Sequence, residues 1–232
     1  HYQTITEQIT QHKNSIQSIF MENGISLGKD EKTKLFKAGN NRSAIAANGL
    51  TPASRLCIEM SLSIIGCLTE QKEKVKDSII KMGAFFEREI RLCTAIKGVT
   101  PFLVLAFLAD VGDITRFKNV RGFNAYLGVV PTVKSSGGKT QLGHINRQSR
   151  KLARTLFTQP LSHMIRSSDM MDAFYNNVKS RRGAGRSRIA VIRKIFNIMR
   201  SMILTGEEYR WKDEENYQRK IKEFEKIICE AA

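Results

Sequence analysis

Residues Gly128 to Arg154 read GVVPTVKSSGGKTQLGHINRQSRKLAR. An apolar approach ending at Pro131 leads to the pair Ser135-Ser136 and two glycines, Gly137 and Gly138. A basic, hydroxyl-rich tail follows through Lys139, Arg147, Arg150, Lys151 and Arg154. Adjacent glycines free the backbone for positive φ and for close approach to a ligand, and successive N–H groups in such a turn can converge on an anion. A serine hydroxyl just before that turn, within dense positive charge, is placed to hold a phosphate or to attack one. The plain alternative is a polar surface turn with idle serines, since short motifs match by chance. Read as a turn between helices, the stretch leaves no convincing strand pair anywhere, and the predicted fold class is predominantly α.

Outward from this stretch, the charge is uneven. The chain has 232 residues, enough for one large domain or two small ones, with 41% apolar content and a formal net charge of +16. Between Ile114 and Arg200 stand eighteen Lys and Arg against two acids, Asp169 and Asp172; the remainder holds twenty of each sign. The whole excess therefore lies around and after the serine–glycine turn. Such a segment repels itself unless it faces a polyanion, and nucleic acid is the first candidate because Lys and Arg gain affinity by displacing counterions from phosphates. The segment lacks an amphipathic stripe with an aromatic anchor, and no apolar run approaches the roughly 20 residues that span a bilayer, which argues against a membrane partner. No signal peptide is visible. The cysteines, Cys57, Cys67, Cys93 and Cys229, never form a C-x-x-C pair, and three lie in apolar helical stretches. Buried thiols in a reducing cytoplasm are expected, without disulfides or a zinc site.

Towards the N-terminus the pattern is helical. Tyr2, Ile5, Ile9, His12, Ile16, Ile19 and Asn23 alternate three and four apart up to Gly24, a stop signal. A polar stretch, 24–55, reads as a loop with a short helix, closed by Thr51-Pro52 as cap and first turn. A long helix is expected over 53–93, with a seam through Ile58, Ser61, Ile65, Leu68, Lys72, Val75, Ile79, Met82, Phe86, Glu89 and Cys93. The two helices predict an antiparallel coiled-coil hairpin with an outer face available to a second protomer. An ordinary amphipathic bundle arm fits the periodicity equally well. The chain thus divides into a coiled-coil region, 1–93, and a helical domain, 94–232.

That second domain opens with a tight break at Ile96-Lys97-Gly98-Val99, Pro101 in the first turn of a helix, and an apolar run over 102–110. A helix-hairpin-helix element, in which Gly98 and the following helix start hold a DNA phosphate, and a plain buried helix after a turn both account for it. Asp113 reads as the cap of a short helix with Arg116 and Lys118 exposed, and a helix over 119–127 leads into the serine turn. Beyond the turn, Ser149 is expected to cap a helix from Arg150 that Pro160 kinks. Residues 167–187 are polar and end in KSRRGAGRSR, expected as a mobile basic loop carrying Arg181, Arg182 and Arg186. Ile189, Ile192, Ile195, Phe196 and Met199 mark an amphipathic helix that bears Arg188, Arg193 and Lys194 and stops at Leu204-Thr205-Gly206. The tail from Glu207 is helical through Ile228.

The ordered blocks Ile96-Lys-Gly-Val-Thr-Pro, Ala109-Asp-Val-Gly-Asp-Ile-Thr-Arg-Phe, Ala125-Tyr-Leu-Gly-Val-Val-Pro, Ser136-Gly-Gly-Lys, Gly143-His-Ile-Asn-Arg and Arg154 resemble one family. It is the insertion-sequence transposases that include the Piv DNA invertases and the bridge-RNA-guided recombinases (the "one-ten" family). Arg188-Ile-Ala-Val-Ile-Arg-Lys is similar to the family's closing helix, and TITEQITQHKNSIQSIFMENGISL to its coiled-coil entry. The resemblance implies that Ser136 is the nucleophile that takes a DNA strand as a serine–phosphate intermediate. It further implies an upstream ribonuclease-H-like domain whose Asp/Glu set binds magnesium. The chain begins at His1 and shows no such domain, so it is expected to be the coiled coil plus the C-terminal transposase domain, with no metal ligand or cofactor of its own and inert alone. Two positions depart from the family pattern, Thr100 for a second glycine and Ser149 for a glycine. DNA is the implied partner, with a guide RNA in the RNA-guided members, a dimeric or tetrameric assembly, and a bacterial or archaeal cytoplasm, on nucleoid DNA.

A serine nucleophile needs a base or metal beside it, and a phosphoryl transition state needs positive charge on its oxygens. Lys134, Lys139 and Arg147 are placed in sequence to supply that charge; His144 is a local base or a solvated loop histidine. The expected nucleic-acid-binding set is therefore Gly98, Arg116, Lys118, Lys134, Gly137, Gly138, Lys139, Arg147, Arg154, Arg181, Arg182, Arg186, Arg188 and Arg193. A non-catalytic basic binding module with coiled-coil oligomerisation uses the same residues without Ser136 chemistry. A purely structural oligomer leaves the clustered charge unexplained.

Overall fold

Helix α1 (Tyr2–Glu22) turns Ile9, Ile16 and Phe20 inward and stops before Gly24, whose φ of +72° no other residue type adopts cheaply. The structure, a computed structural model, describes residues 1–37, 49–136, 139–145 and 149–229, with 132–136, 139–142, 144 and 145 described by backbone alone. Helix α2 (Lys29–Lys37) follows, its start closed by the Glu31 carboxylate on the Gly28 N–H at 2.7 Å. Helix α3 (Pro52–Met82) begins as expected, with Thr51 Oγ1 accepting the Ser54 N–H at 3.1 Å and proline at the first position.

Two contacts fix how α1 and α3 run. Asn23 Nδ2 donates to Ser54 Oγ at 3.1 Å at one end, and the Lys72 ammonium lies 5.1 Å from the centre of the Tyr2 ring at the other. The helices are therefore antiparallel. Ile9, Ile16, Phe20, Leu35, Leu50, Ile58, Leu62 and Ile65 form their shared core. Leu56, Met60 and Ile64, four apart on α3, are 58%, 58% and 41% exposed. They form an exposed apolar stripe on α3.

Residue contacts divide the chain into His1–Ser78 and Ile79–Ala232, whereas the sequence reading sets the division at 93/94. The long helix expected to reach Cys93 is interrupted. A 3-10 turn, Gly83–Phe86, separates α3 from α4 (Glu87–Thr94). The cause is packing at Gly83, where a Cβ would stand 2.9 Å from Ile90 Cδ1, 3.1 Å from Leu105 Cδ1 and 3.3 Å from Phe224 Cε2. The backbone itself fills that place, the helical seam ends there, and Met82 and Phe86 become exposed.

The second unit is built around α5 (Pro101–Val111) and α10 (Ala184–Thr205). Thr100 caps α5 by accepting the Leu103 N–H, and six consecutive residues, Phe102 to Phe107, are buried. Asp113 caps a 3-10 turn, Ile114–Arg116, as expected, accepting both the N–H and hydroxyl of Thr115 at 2.8 and 2.7 Å. That hydroxyl, with the backbone N–H, holds the carboxyl below the usual carboxylate range. Helix α6 (Val120–Tyr126) is capped by Asn119. Helices α7 (Leu152–Thr158), α8 (Leu161–Arg166) and α9 (Asp169–Arg182) follow, and α11 (Glu214–Cys229) closes the unit. Phe157, Phe196, Phe107 and Phe123 are in ring contact through the core, at 4.9, 5.2 and 6.1 Å between centres. No helix among the described residues is long and apolar enough to cross a membrane.

The fold is predominantly helical, as the sequence predicts, with four local corrections besides the break at Gly83. First, a strand pair exists: β1 (Pro131–Ser136) and β2 (Lys139–Ile145) form an antiparallel ribbon. Second, α7 starts at Leu152, and Asp110 of α5 caps it from 43 residues away. Third, the expected mobile loop over 167–187 is helical: α9 and α10 meet at a single residue, Gly183, with φ +79°. Fourth, Cys57, Cys67 and Cys229 are exposed free thiols, and only Cys93 is buried, because the other three fall on outward helix positions.

Candidate nucleic-acid interface

The serine stretch is a ribbon. Pro131 pairs with Ile145, Val133 with Leu142, Lys134 with Gln141, Ser135 with Thr140, and Ser136 with Lys139, with an irregularity between Pro131 and Val133. Ser136 thus ends β1, and Lys139 faces it across the ribbon's closing pair. Gly137, Gly138 and Arg147 lie outside the described residues, and Lys134, Ser136, Lys139 and His144 are described by backbone alone.

The ribbon is rooted where its two ends meet. Gly128 has φ +63°, and a Cβ on it would collide with the Ser149 hydroxyl and stand 2.6 Å from Arg154 Nη1. Arg154 Nη1 donates to the Gly128 carbonyl at 2.6 Å, and the Arg150 N–H donates to the Tyr126 carbonyl at 2.9 Å. Val129 is buried and donates its N–H to Asn124 O at 3.1 Å. Half-buried Arg154 is therefore part of the ribbon's root.

Beside the root, cations gather on aromatic rings. The Arg116 guanidinium lies 4.5 Å from the ring centres of both Phe117 and Tyr126, and its Nη2 donates to Val111 O at 3.0 Å. Arg150 Nε donates to the Tyr126 hydroxyl at 3.3 Å. Arg150, and after it Arg116, pull that phenol below its ordinary range by favouring the phenolate. Phe117 also touches Phe123 at 5.4 Å, so the aromatic contacts of the core continue to the ribbon's root. Arg116, Lys118 and Arg150 are exposed. Tyr126 and Arg150 are members of this cluster that the sequence reading did not assign, because their contact joins residues 24 apart.

A second cationic group surrounds the elbow at Gly183. Arg181 and Arg182 end α9, Arg186 and Arg188 stand in the first turns of α10, and all four are exposed. Arginine suits the end of a helix, where the backbone dipole is negative, but opposes the positive start of the next. Arg193 lies further along, half-buried, in a groove with Phe174, Lys194 and Asn197, where the Lys194 ammonium is 4.4 Å from the Phe174 ring centre. The ion pairs among the described residues, Lys76–Glu73, Arg91–Glu87, Arg91–Glu225, Lys97–Asp213 and Lys212–Glu214, all lie outside 114–200.

Gly98 has φ +79°, and a Cβ on it would stand 2.5 Å from Met164 Cγ, so its bare Cα lets the α4–α5 turn seat against α8. Asp110 is committed to the Ala153 N–H at 2.7 Å and Asp113 to Thr115. Among the described residues, no group of three His, Cys, Asp or Glu side chains is placed to hold a metal ion.

In sequence, the chain is similar to known proteins. Residues 90–176, from the end of α4 to the middle of α9, match the family model "Transposase IS116/IS110/IS902 family". The chain is 26% identical over 207 residues to the transposase for insertion sequence element IS1111A of Coxiella burnetii, covering 85% of this chain and 55% of that protein. It is 27% identical over 128 residues to a "Probable family 20 transposase" of Pseudomonas aeruginosa, covering 53% of this chain and 38% of the relative. The chain thus spans about half or less of the length of these relatives.

Proposed function

We propose that this chain, whose residues 90–176 match the IS116/IS110/IS902 transposase family model, is the DNA-holding part of a transposase and supplies Ser136 as the nucleophile for strand exchange. The observation that carries the reading is the position of Ser136. It ends β1 opposite Lys139, on a ribbon rooted at Gly128 and Arg154, inside the segment that holds the chain's whole excess of positive charge. In the proposed step, Ser136 Oγ forms a bond to a DNA phosphorus, and the deoxyribose oxygen on its far side leaves as a hydroxyl. The serine proton passes to a base, which delivers it to the leaving oxygen. Attack by another strand's hydroxyl reverses the step, so the phosphodiester energy is conserved in the serine ester. Cations around the ribbon stabilise charge that grows on the phosphoryl oxygens. The arginines at the Gly183 elbow hold the flanking backbone, and an anion there relieves the unfavourable charge at the start of α10.

The test uses a full-length transposase containing this chain. Ser136→Ala abolishes strand exchange and the covalent protein–DNA adduct, while DNA affinity changes by no more than about 1 kcal/mol, the usual contribution of one neutral hydroxyl. Ser135→Ala, one residue away, retains both activities. Loss with Ser135→Ala and not with Ser136→Ala moves the nucleophile by one position. Normal exchange by both variants overturns the serine assignment: the nucleophile then lies elsewhere and the turn only holds a phosphate.

A further inference from the structure

The turn between α4 and α5 gathers backbone oxygens on one point, and the last helix brings a charge to it. Lys220 of α11 is 8% exposed. Its Nζ donates to the carbonyls of Thr94, Ile96 (3.2 Å) and Val99 (3.0 Å). An ammonium has three N–H donors, and all three are used. No carboxylate belongs to this cage. Asp213, the nearby acid, pairs at its Oδ2 with Lys97 Nζ at 3.5 Å, while its Oδ1 caps the start of α11 through the Asn216 N–H. A buried charge with no ion-pair partner is expensive, and burial draws the Lys220 ammonium down to about 8, with Asp213 acting the other way. What offsets the cost is the set of carbonyl dipoles, which replace water around the cation.

Neutral carbonyl oxygens converging from a turn, with no acid among them, form the ligand set that protein backbones offer to monovalent cations. Ammonium and potassium have the same charge and similar size, so each fits where the other does. We propose that the carbonyls of Thr94, Ile96 and Val99 form a monovalent-cation site whose resident cation is the tethered ammonium of Lys220. Lys220 is then a positioning residue. It fixes the Ile96–Val99 turn, and with it the start of α5, inside the region that matches the transposase family, although Lys220 itself lies beyond that region. This inference stands independently of the role proposed for Ser136.

The experiment uses the 232-residue chain and its Lys220→Ala variant. Deleting the side chain takes the ammonium from the Thr94 and Val99 carbonyls and leaves Ile96 O with the Val99 N–H alone, and lowers the melting temperature by about 5 °C or more. If the site is a cation site, potassium or ammonium chloride restores about 3 °C or more, saturably, relative to tetramethylammonium chloride at equal concentration. The parent chain shows no such selectivity, because its site is filled. A variant that melts identically in all three salts, or a parent that shows the same selectivity, overturns the proposal. Should the variant not fold, the parent decides the question by NMR. A lysine ammonium signal with slowed proton exchange and couplings across hydrogen bonds to the carbonyl carbons of Thr94, Ile96 and Val99 supports the proposal; a rapidly exchanging Lys220 ammonium overturns it.

Discussion

The carbonyl of Gly128 accepts a 2.6 Å hydrogen bond from Nη1 of Arg154, so the residue that launches the ribbon is tied to the helix that follows it. The contact depends on Gly128 lacking a Cβ and on its φ of +63°. Gly128→Ala therefore meets a left-handed backbone, costing about 1–2 kcal/mol by itself, together with collisions against Ser149 and Arg154. A fall in melting temperature of about 4 °C or more is expected. Ser149→Gly in the same chain removes one collision and recovers part of the loss. An unchanged melt for Gly128→Ala would mean that the root can spread without cost.

Asp110 acts as a remote helix cap, and its variants separate acceptor from charge. Asp110→Ala strips the Ala153 N–H of its partner in a buried site and should cost about 1–2 kcal/mol in thermal or denaturant unfolding. Asp110→Asn keeps an oxygen on the same atom and should retain most of the stability. Equal losses for the two variants would show that the negative charge, and not the acceptor, is what α7 requires.

The arginines at the Gly183 elbow are expected to bind DNA phosphates. Converting Arg181, Arg182, Arg186 and Arg188 together to glutamine should flatten the slope of log affinity against log salt, by about 0.9 for each phosphate no longer neutralised. Circular dichroism should be unchanged, since the four side chains are exposed. A slope equal to the parent's would make the elbow a solvated surface.

The thiols provide a test of the second unit's interior. Burial, with Glu89 adding to it, pushes the Cys93 thiol up to about 12, so at pH 8 it stays protonated and unreactive. Cys57, Cys67 and Cys229 are exposed. A disulfide exchange reagent at pH 8 should label three thiols promptly and the fourth only on unfolding. Prompt labelling of all four would mean that α4 opens in the native state.

The helices were legible in the sequence because burial repeats with their period. The seam of α1 is buried or half-buried at every position from Tyr2 to Asn23, and Pro101, Asp113, Asn119 and Gly206 mark real helix ends. The misreadings have physical causes. The break at Gly83 answers to Leu105 and Phe224, residues distant in sequence, and the seam carries no sign of them. The ribbon is short and polar, so apolar alternation is weak; the two glycines between Ser136 and Lys139 were the hairpin signal. The elbow read as a loop because its residues are polar all round, yet α9 and α10 pack on one another. Of the candidate site, Arg116, Lys118 and the elbow arginines were legible as charge in a basic segment. The clamp by Arg154, the Tyr126–Arg150 contact and the Lys220 cage are made across the fold and leave no local pattern.

The cage at Lys220 also has a direction in time. A ribosome delivers the Thr94, Ile96 and Val99 carbonyls long before residue 220, since the contacts span 121 to 126 residues. Throughout that interval the turn carries backbone acceptors with their final partner still unmade. A stop codon or a protease cut ahead of α11 would leave a product with every other basic feature in place and an unlocked turn, a built-in difference between finished and unfinished copies.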